Sequence, residues 1–189
     1  MFYTLKRSCV WVRRMRYSKG FGVQSPWAYK FVREVVNNHT RYEIYNTLKH
    51  HVFGLDKRKR KLCRLYYRMA KFVNPNYVID FHPEGTAYKA YFLAGCNKNT
   101  YRLVSNHIDR EAMLAWLKEI TEKTVLVRVT LEGSYDEFVN DVLDNLSATS
   151  VVIIEHIHKD KHTTQYWKQL VADSRVGVSF DLYYCGVLF

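Results

Sequence analysis

The stretch YVIDFHPEG at residues 77–85 combines a short apolar run with the loop that ends it. Residues 77–81 are aromatic or β-branched apart from Asp80, a composition typical of a buried β-strand. Pro83 and Gly85 then interrupt regular structure and mark a loop. We therefore predict a buried strand that ends beside one carboxylate and a tight loop.

Beyond this strand, strand and helix patterns alternate along the chain. Because repeated strand–helix units form parallel sheets through right-handed crossovers, the alternation predicts a mostly parallel sheet covered by helices. Residues 150–154 form the most apolar strand, so we place them at the centre of the sheet. The other predicted strands cover residues 101–104 and 124–131. The predicted helices cover residues 86–94, 110–120, a segment opened by the Ser134-x-x-Glu137 capping pattern, and about 163–172.

Two further strands end the chain, at residues 176–184 and 186–189. They leave no room for a helix between them, so they must pair antiparallel, and we place their tight connection at Cys185-Gly186. The predicted fold class is therefore α/β. It has three layers and is Rossmann-like, with a mostly parallel sheet that ends in an antiparallel hairpin.

The chain before Pro75 is predicted to be helical. Residues 27–36 carry apolar side chains at helical spacing, with Ser25 as the N-cap and Pro26 as the first helical residue. A second helix follows the basic run at residues 57–61 and ends at Pro75. We therefore divide one structural domain into a basic helical N-terminal extension, residues 1–75, packed on a Rossmann-like core, residues 76–189.

Charge separates the same two parts. Residues 1–75 hold 18 Lys/Arg and three acids, a net charge of +15, whereas residues 76–189 hold 11 Lys/Arg and 15 acids, a net charge of −4; together they give the total of +11. This asymmetry suggests nucleic acid, an acidic partner or an anionic membrane surface as a contact of the basic half. A solvated basic face explains it equally well.

Composition excludes several classes of protein. A hydrophobic content of 48% with 25% charged residues is that of a globular chain, and the apolar runs are too short to span a membrane. Residues 1–16 lack the features of a secretory signal, so we expect a cytoplasmic protein. The four cysteines form no disulfide or zinc pattern. His156 and His158 could share a metal on an extended strand, but the spacing offers no third ligand, so no metal site is predicted.

Three segments carry a family resemblance. Residues 22–27 read GVQSPW, residues 78–86 read VIDFHPEGT, and the tail holds VVIIEHIH at 151–158 and VSFDLYYCGVLF at 178–189. Together they resemble class I S-adenosylmethionine-dependent methyltransferases, in particular small bacterial members common in Bacteroidetes. The resemblance covers roughly the whole chain and implies the methyltransferase version of the Rossmann-like fold, with S-adenosylmethionine as cofactor.

The resemblance also implies two groups of site residues, with the methyl acceptor and any catalytic residue left unassigned. Cofactor binding falls on Asp80, His82, Glu84, Gly85 and Asn106. Substrate binding falls on Glu155 and His158.

The sequence departs from the family pattern at the cofactor loop. His82 and Pro83 stand where the family has small residues that let the backbone approach the cofactor, and Asn106 stands where an acid would accept the ribose hydroxyls. One strand–helix unit is also missing between Leu103 and Ile154. A second function therefore stays open: an inactive methyltransferase-like binding module that contacts nucleic acid or an acidic partner through its basic N-terminal half.

Overall fold

The computed structural model describes residues 25–81, 87–96, 100–104, 109–133 and 135–189. The helices in these ranges are α1 Pro26–Phe31, α2 Ile44–Thr47, α3 Lys57–Val73, α4 Ala87–Gly95, α5 Arg110–Glu119, α6 Tyr135–Asn145 and α7 Lys161–Val171. A π-helical turn, Val32–Val36, continues α1, and a 3-10 turn, Leu48–Val52, continues α2. The strands are β1 Tyr77–Phe81, β2 Thr100–Val104, β3 Val125–Thr130, β4 Val151–Glu155, β5 Ser179–Asp181 and β6 Cys185–Leu188.

These strands form one sheet in the order β2-β1-β3-β4-β6-β5. β1 to β4 pair in parallel, whereas β6 lies antiparallel between β4 and β5. The predicted class is confirmed: this is a three-layer, Rossmann-like α/β fold, with a mostly parallel sheet that has a reversed strand near one edge. Within the described ranges, β3 is the one strand between β2 and β4 along the chain, as the shortened middle of the sequence predicts.

Helices cover both faces of the sheet and make it the middle of three layers. On one face, α5, α6 and α7 pack on a cluster that includes Ile79, Val127 and Ile154. On the other face, α1, α3 and α4 pack on alternate residues of the same strands, including Val78 and Leu126. Every residue of β3 and β4 is buried, because both strands are covered on both sides. The central position predicted for residues 150–154 is therefore confirmed.

The long helix α3 connects the basic N-terminal part to this core. The Asp56 carboxylate accepts a hydrogen bond of 2.9 Å from the Lys59 backbone N–H and caps the helix at its start. Asn74 ends the helix in a left-handed conformation, with φ of 46°. The predicted basic run occupies the first five residues of α3. Among the described helices, none is long and apolar enough to cross a membrane.

The final hairpin turns at a different place from the one predicted. Cys185 and Gly186 belong to β6, and residues 182–184 make the turn. The Asp181 carboxylate accepts a hydrogen bond from the Tyr183 backbone N–H, and Tyr183 adopts a φ of 75°. The prediction was wrong because Gly186 serves packing and not a turn: its hydrogen faces the Trp167 ring, where a Cβ atom would overlap the ring.

Candidate functional site

A buried ion cluster lies where the central strands end. The Arg128 guanidinium donates to Asp80 Oδ1 through Nη1 at 2.6 Å and to Glu155 Oε1 through Nε at 2.7 Å. All three side chains are at most 1% exposed. Asp80 lies directly opposite Arg128 in the β1–β3 register, and Glu155 lies two residues beyond Ile153, the β4 residue opposite Arg128. Since residues two apart on a strand share a face, the sheet places all three groups together on the α3–α4 side.

Three tyrosines complete the cluster. The Tyr101 hydroxyl donates to Asp80, the Tyr66 hydroxyl donates to Glu155, and the Tyr88 ring lies against the guanidinium with its centroid 4.7 Å from Arg128 Cζ. Burial, and then the adjoining carboxylates, raise the pKa of Tyr66 and that of Tyr101. Both phenols therefore stay protonated and act as donors at neutral pH.

The charges within this cluster do not cancel. Burial alone lowers the pKa of Arg128, but the carboxylates of Glu155 and Asp80 outweigh it and raise the pKa, so the guanidinium stays charged. The pKa of Asp80 is raised, because burial outweighs the opposing effects of Arg128 and Tyr101. Arg128 Nη2 is buried and has no hydrogen-bond partner in the described part of the chain. The cluster therefore combines a surplus carboxylate with one guanidinium NH2 group that has no partner among the described residues.

The cluster lies beside the point where the strand order reverses. β1 is flanked by β2 on one side and β3 on the other, so the connections after β1 and β2 leave the sheet in opposite directions. In open α/β sheets such a switch point, at the carboxyl ends of the strands, is where ligands bind. Of the predicted cofactor residues, Asp80 lies in the described chain, whereas His82, Glu84, Gly85 and Asn106 lie outside the described residues.

The two predicted substrate residues differ in their surroundings. Glu155 is 1% exposed, and Arg128 and Tyr66 both donate to its Oε1. The His158 side chain is 24% exposed, and its Nε2 lies 2.9 Å from Asp181 Oδ2. The structure brings Glu155 together with Asp80 and places His158 in a separate contact with β5. Their assigned ligand roles stay predictions.

His156 does not lie on an extended strand with His158. β4 ends at Glu155, and His156 adopts a φ of 62°, so the same-side placement considered from the sequence does not apply. His156 Nδ1 lies 3.3 Å from the guanidinium of Arg58, a different partner from that of His158. No group of three metal-ligating side chains occurs in the ranges that the structure describes.

Sequence reasoning missed the residues that organise this site. Arg128, Tyr66 and Tyr101 did not stand out by motif, and Asp181 lay in the resemblance segment at 178–189 without being assigned a role. One signal was present, because a single arginine interrupts the apolar strand VLVRVT, and arginine is almost never fully buried unless it is paired. Its partners could not be inferred in the same way, since Asp80 and Glu155 are distant in sequence and become neighbours only through strand pairing.

Two buried cysteines adjoin the site and are expected to be chemically inert. Burial raises the pKa of Cys63 to about 12 and also raises the pKa of Cys185, so little thiolate forms at pH 8. We expect iodoacetamide to leave both unmodified in the folded protein and to modify both in urea, as measured by peptide mass spectrometry. Cys96, which is partly exposed, is the internal control. Rapid modification of Cys63 under native conditions would contradict this prediction.

Comparison with known proteins yields a likeness of fold alone. No family model matches the chain, and no curated protein matches it. Among solved structures, the chain is similar to the SAH-bound methyltransferase PaMTH1 of Podospora anserina. The TM-score is 0.47 and the sequence identity is 13%, over 85% of this chain and 91% of that one.

Proposed function

We propose that this chain is an S-adenosylmethionine-dependent methyltransferase that binds its methyl donor at the carboxyl ends of β1, β2 and β3. The observation that carries the proposal is the strand order β2-β1-β3-β4-β6-β5 with antiparallel β6. That order puts the switch point at β1, directly before the loop in which the sequence resemblance locates the cofactor motif. The proposal includes membership of the small Bacteroidetes-type group and leaves the methyl acceptor unassigned.

The residues present fit such a donor in a specific way. Its amino acid end carries an ammonium group, and the buried cluster holds two carboxylates for one guanidinium, so the net negative charge of the cluster favours this cation without direct contact. Asp80 acts by positioning the end of β1, which precedes the predicted cofactor loop in sequence, because its own carboxylate is enclosed by Arg128 and Tyr101. Gly85 and Asn106 are the residues we assign to direct contact with the cofactor. The bound donor would supply an electrophilic methyl group.

His158 is our candidate for the proton acceptor of the reaction. When Nε2 carries the ring proton and donates it to Asp181, Nδ1 keeps a lone pair. The Asp181 carboxylate also accepts from the Tyr183 backbone, which fixes its orientation. In this proposal the nucleophile of the methyl acceptor gives its proton to Nδ1 of His158, while the chain contributes mainly positioning.

A second candidate function has its own supporting observation. The carboxylates of Asp80 and Glu155 are both buried and both paired with Arg128, so neither side chain is exposed towards a ligand. A methyltransferase-like fold in which these acids only stabilise the core would be a binding module without catalytic activity. The two candidates differ in whether the switch point binds the cofactor.

Calorimetric titration with S-adenosylhomocysteine separates the two candidates. We expect binding in the micromolar range, and we expect Gly85→Trp to weaken it by about tenfold or more, a change of about 1.4 kcal/mol, because a bulky ring in the loop after β1 would occupy cofactor space. The matched control is Glu122→Trp, an exposed position just before β3 and therefore at the amino ends of the parallel strands, opposite the proposed site, which should bind like the wild type. No heat of binding at about 1 mM ligand would leave only the binding module.

A further inference from the structure

A cavity of about 490 Å³ opens on the α3 side of the molecule. It is bounded by the segment after α1, by one face of α3, and by the turn between β5 and β6. Its cationic lining residues are Arg41, Lys61, Arg64 and Arg68, joined by His39. No aspartate or glutamate occurs among the described residues that line it. Its volume lies within the range of small-molecule binding sites, about 300 to 1,000 Å³.

Among the described residues, no carboxylate forms an ion pair with any of the four cations of this cavity. Ion pairs of described arginines and lysines lie elsewhere, as at Arg110, Arg128, Lys159 and Arg175. Four positive charges converging on one hollow without counter-charges repel each other, so their arrangement favours an anionic occupant.

Two of the arginines are held in place by neighbours that carry no charge. Arg68 donates from Nε to the Val35 carbonyl at 2.6 Å, and the Arg64 guanidinium lies over the Tyr45 ring at 5.4 Å. Neither contact neutralises the guanidinium. A guanidinium that is oriented in advance loses less conformational entropy when it binds an anion, and its planar fork matches a phosphate group.

Helix α3, which supplies three of these cations, has positive charges at its N-terminus, where the helix dipole favours negative ones. Residues 57–61 are all lysine or arginine, and the first turn of α3 contains no acid. The positive end of the helix dipole disfavours cations there. The helix dipole therefore opposes this concentration of charge, and Lys61, the last residue of the run, lines the cavity.

We propose that this cavity binds the phosphate groups of a nucleotide ligand, with single-stranded RNA and a free mononucleotide as the two possible sources. Tyr45 and Tyr184 supply aromatic surface in the same walls, beside which a base can pack. An acidic peptide offers carboxylates but no nucleobase to pack beside a tyrosine ring, so the two tyrosines favour a nucleotide as the ligand. The proposal goes beyond methyl transfer and does not depend on it.

Fluorescence anisotropy with a labelled single-stranded RNA 12-mer tests the proposal in the full chain without cofactor. We expect Arg41→Gln/Arg64→Gln to weaken binding at least tenfold at 50 mM NaCl. Since each phosphate contact on a single strand contributes about 0.7 to the slope of log K against log salt, the double variant should lower that slope by about 1.4. The matched control, Lys118→Gln/Lys123→Gln, removes the same charge from exposed positions at and after the end of α5 and should change affinity less than twofold.

Competition identifies the source of the phosphate. Displacement of the RNA by adenosine monophosphate at micromolar concentration supports the proposal with a mononucleotide as ligand, and displacement only by unlabelled RNA supports it with a nucleic acid strand. Displacement by a glutamate-rich peptide as readily as by RNA would overturn it. Absence of RNA and mononucleotide binding at 50 mM NaCl, or equal losses in both double variants, would also overturn it. Because S-adenosylhomocysteine is absent throughout, either result is independent of the methyltransferase titration.

Discussion

Replacement of Arg128 by methionine is expected to destabilise the fold by about 3–5 kcal/mol, because it leaves the buried carboxylates of Asp80 and Glu155 without their cation. The side chain that replaces it also lacks the donors that now bridge β1, β3 and β4. Urea unfolding at pH 7, followed by far-UV circular dichroism, measures the loss as a lower transition midpoint with an unchanged denaturant slope.

A second arginine that also forms ion pairs, but at the surface, shows how much of the expected loss comes from burial. Arg110 pairs with Asp141 and Glu137 at the protein surface, and its side chain is 54% exposed. Since water screens that pair, Arg110→Met should change the transition far less than Arg128→Met. The triple variant Asp80→Asn/Arg128→Met/Glu155→Gln should recover part of the loss, because the uncompensated charges are gone. Equal effects of the two single variants would contradict the prediction.

The Gly186→Ala variant is expected to lose about 2–3 kcal/mol of stability through overpacking. A Cβ atom at this position would lie within 2.7 Å of Trp167 Cε3 and still closer to two other atoms of that ring. Trp167 is 4% exposed, so the ring cannot move aside without disturbing the core around it. For a chain of this length, thermal unfolding should show a midpoint lowered by about 4–12 °C.

A second substitution tests the stated cause of this loss. Combining Gly186→Ala with Trp167→Leu should cost less than the sum of the two single variants, since the smaller side chain makes room for the methyl group. Gly177→Ala is the control, because among the described atoms its Cβ would contact the Phe189 carbonyl oxygen alone, at an ordinary 3.5 Å. Additive losses in the double variant would show that contact with Trp167 is not the cause.

Part of the candidate site could be predicted from the local sequence pattern, and part could not. The carboxylate at the end of β1 could be predicted from YVIDF, because a strand bounded by prolines has a recognisable end. Its enclosure by Arg128 and Tyr101 could not, since those residues come from β3 and β2 and meet Asp80 only in the paired sheet. The same holds for the cavity. Its positive charge could be predicted from the basic N-terminal half, whereas its position could not, because Arg41, α3 and the β5–β6 turn meet only in the folded chain.

The sequence by itself determined the alternation of strands and helices, the parallel centre, the antiparallel end and the separation of charge, because periodicity, capping residues and composition act over a few residues. Tertiary structure alone decided the register that joins Asp80, Arg128 and Glu155, and the packing of Gly186 against Trp167 that moved the last turn to residues 182–184. The physical reason is range. Secondary structure follows from neighbours along the chain, whereas a buried charge or a missing Cβ atom is explained by atoms that only folding brings within contact distance.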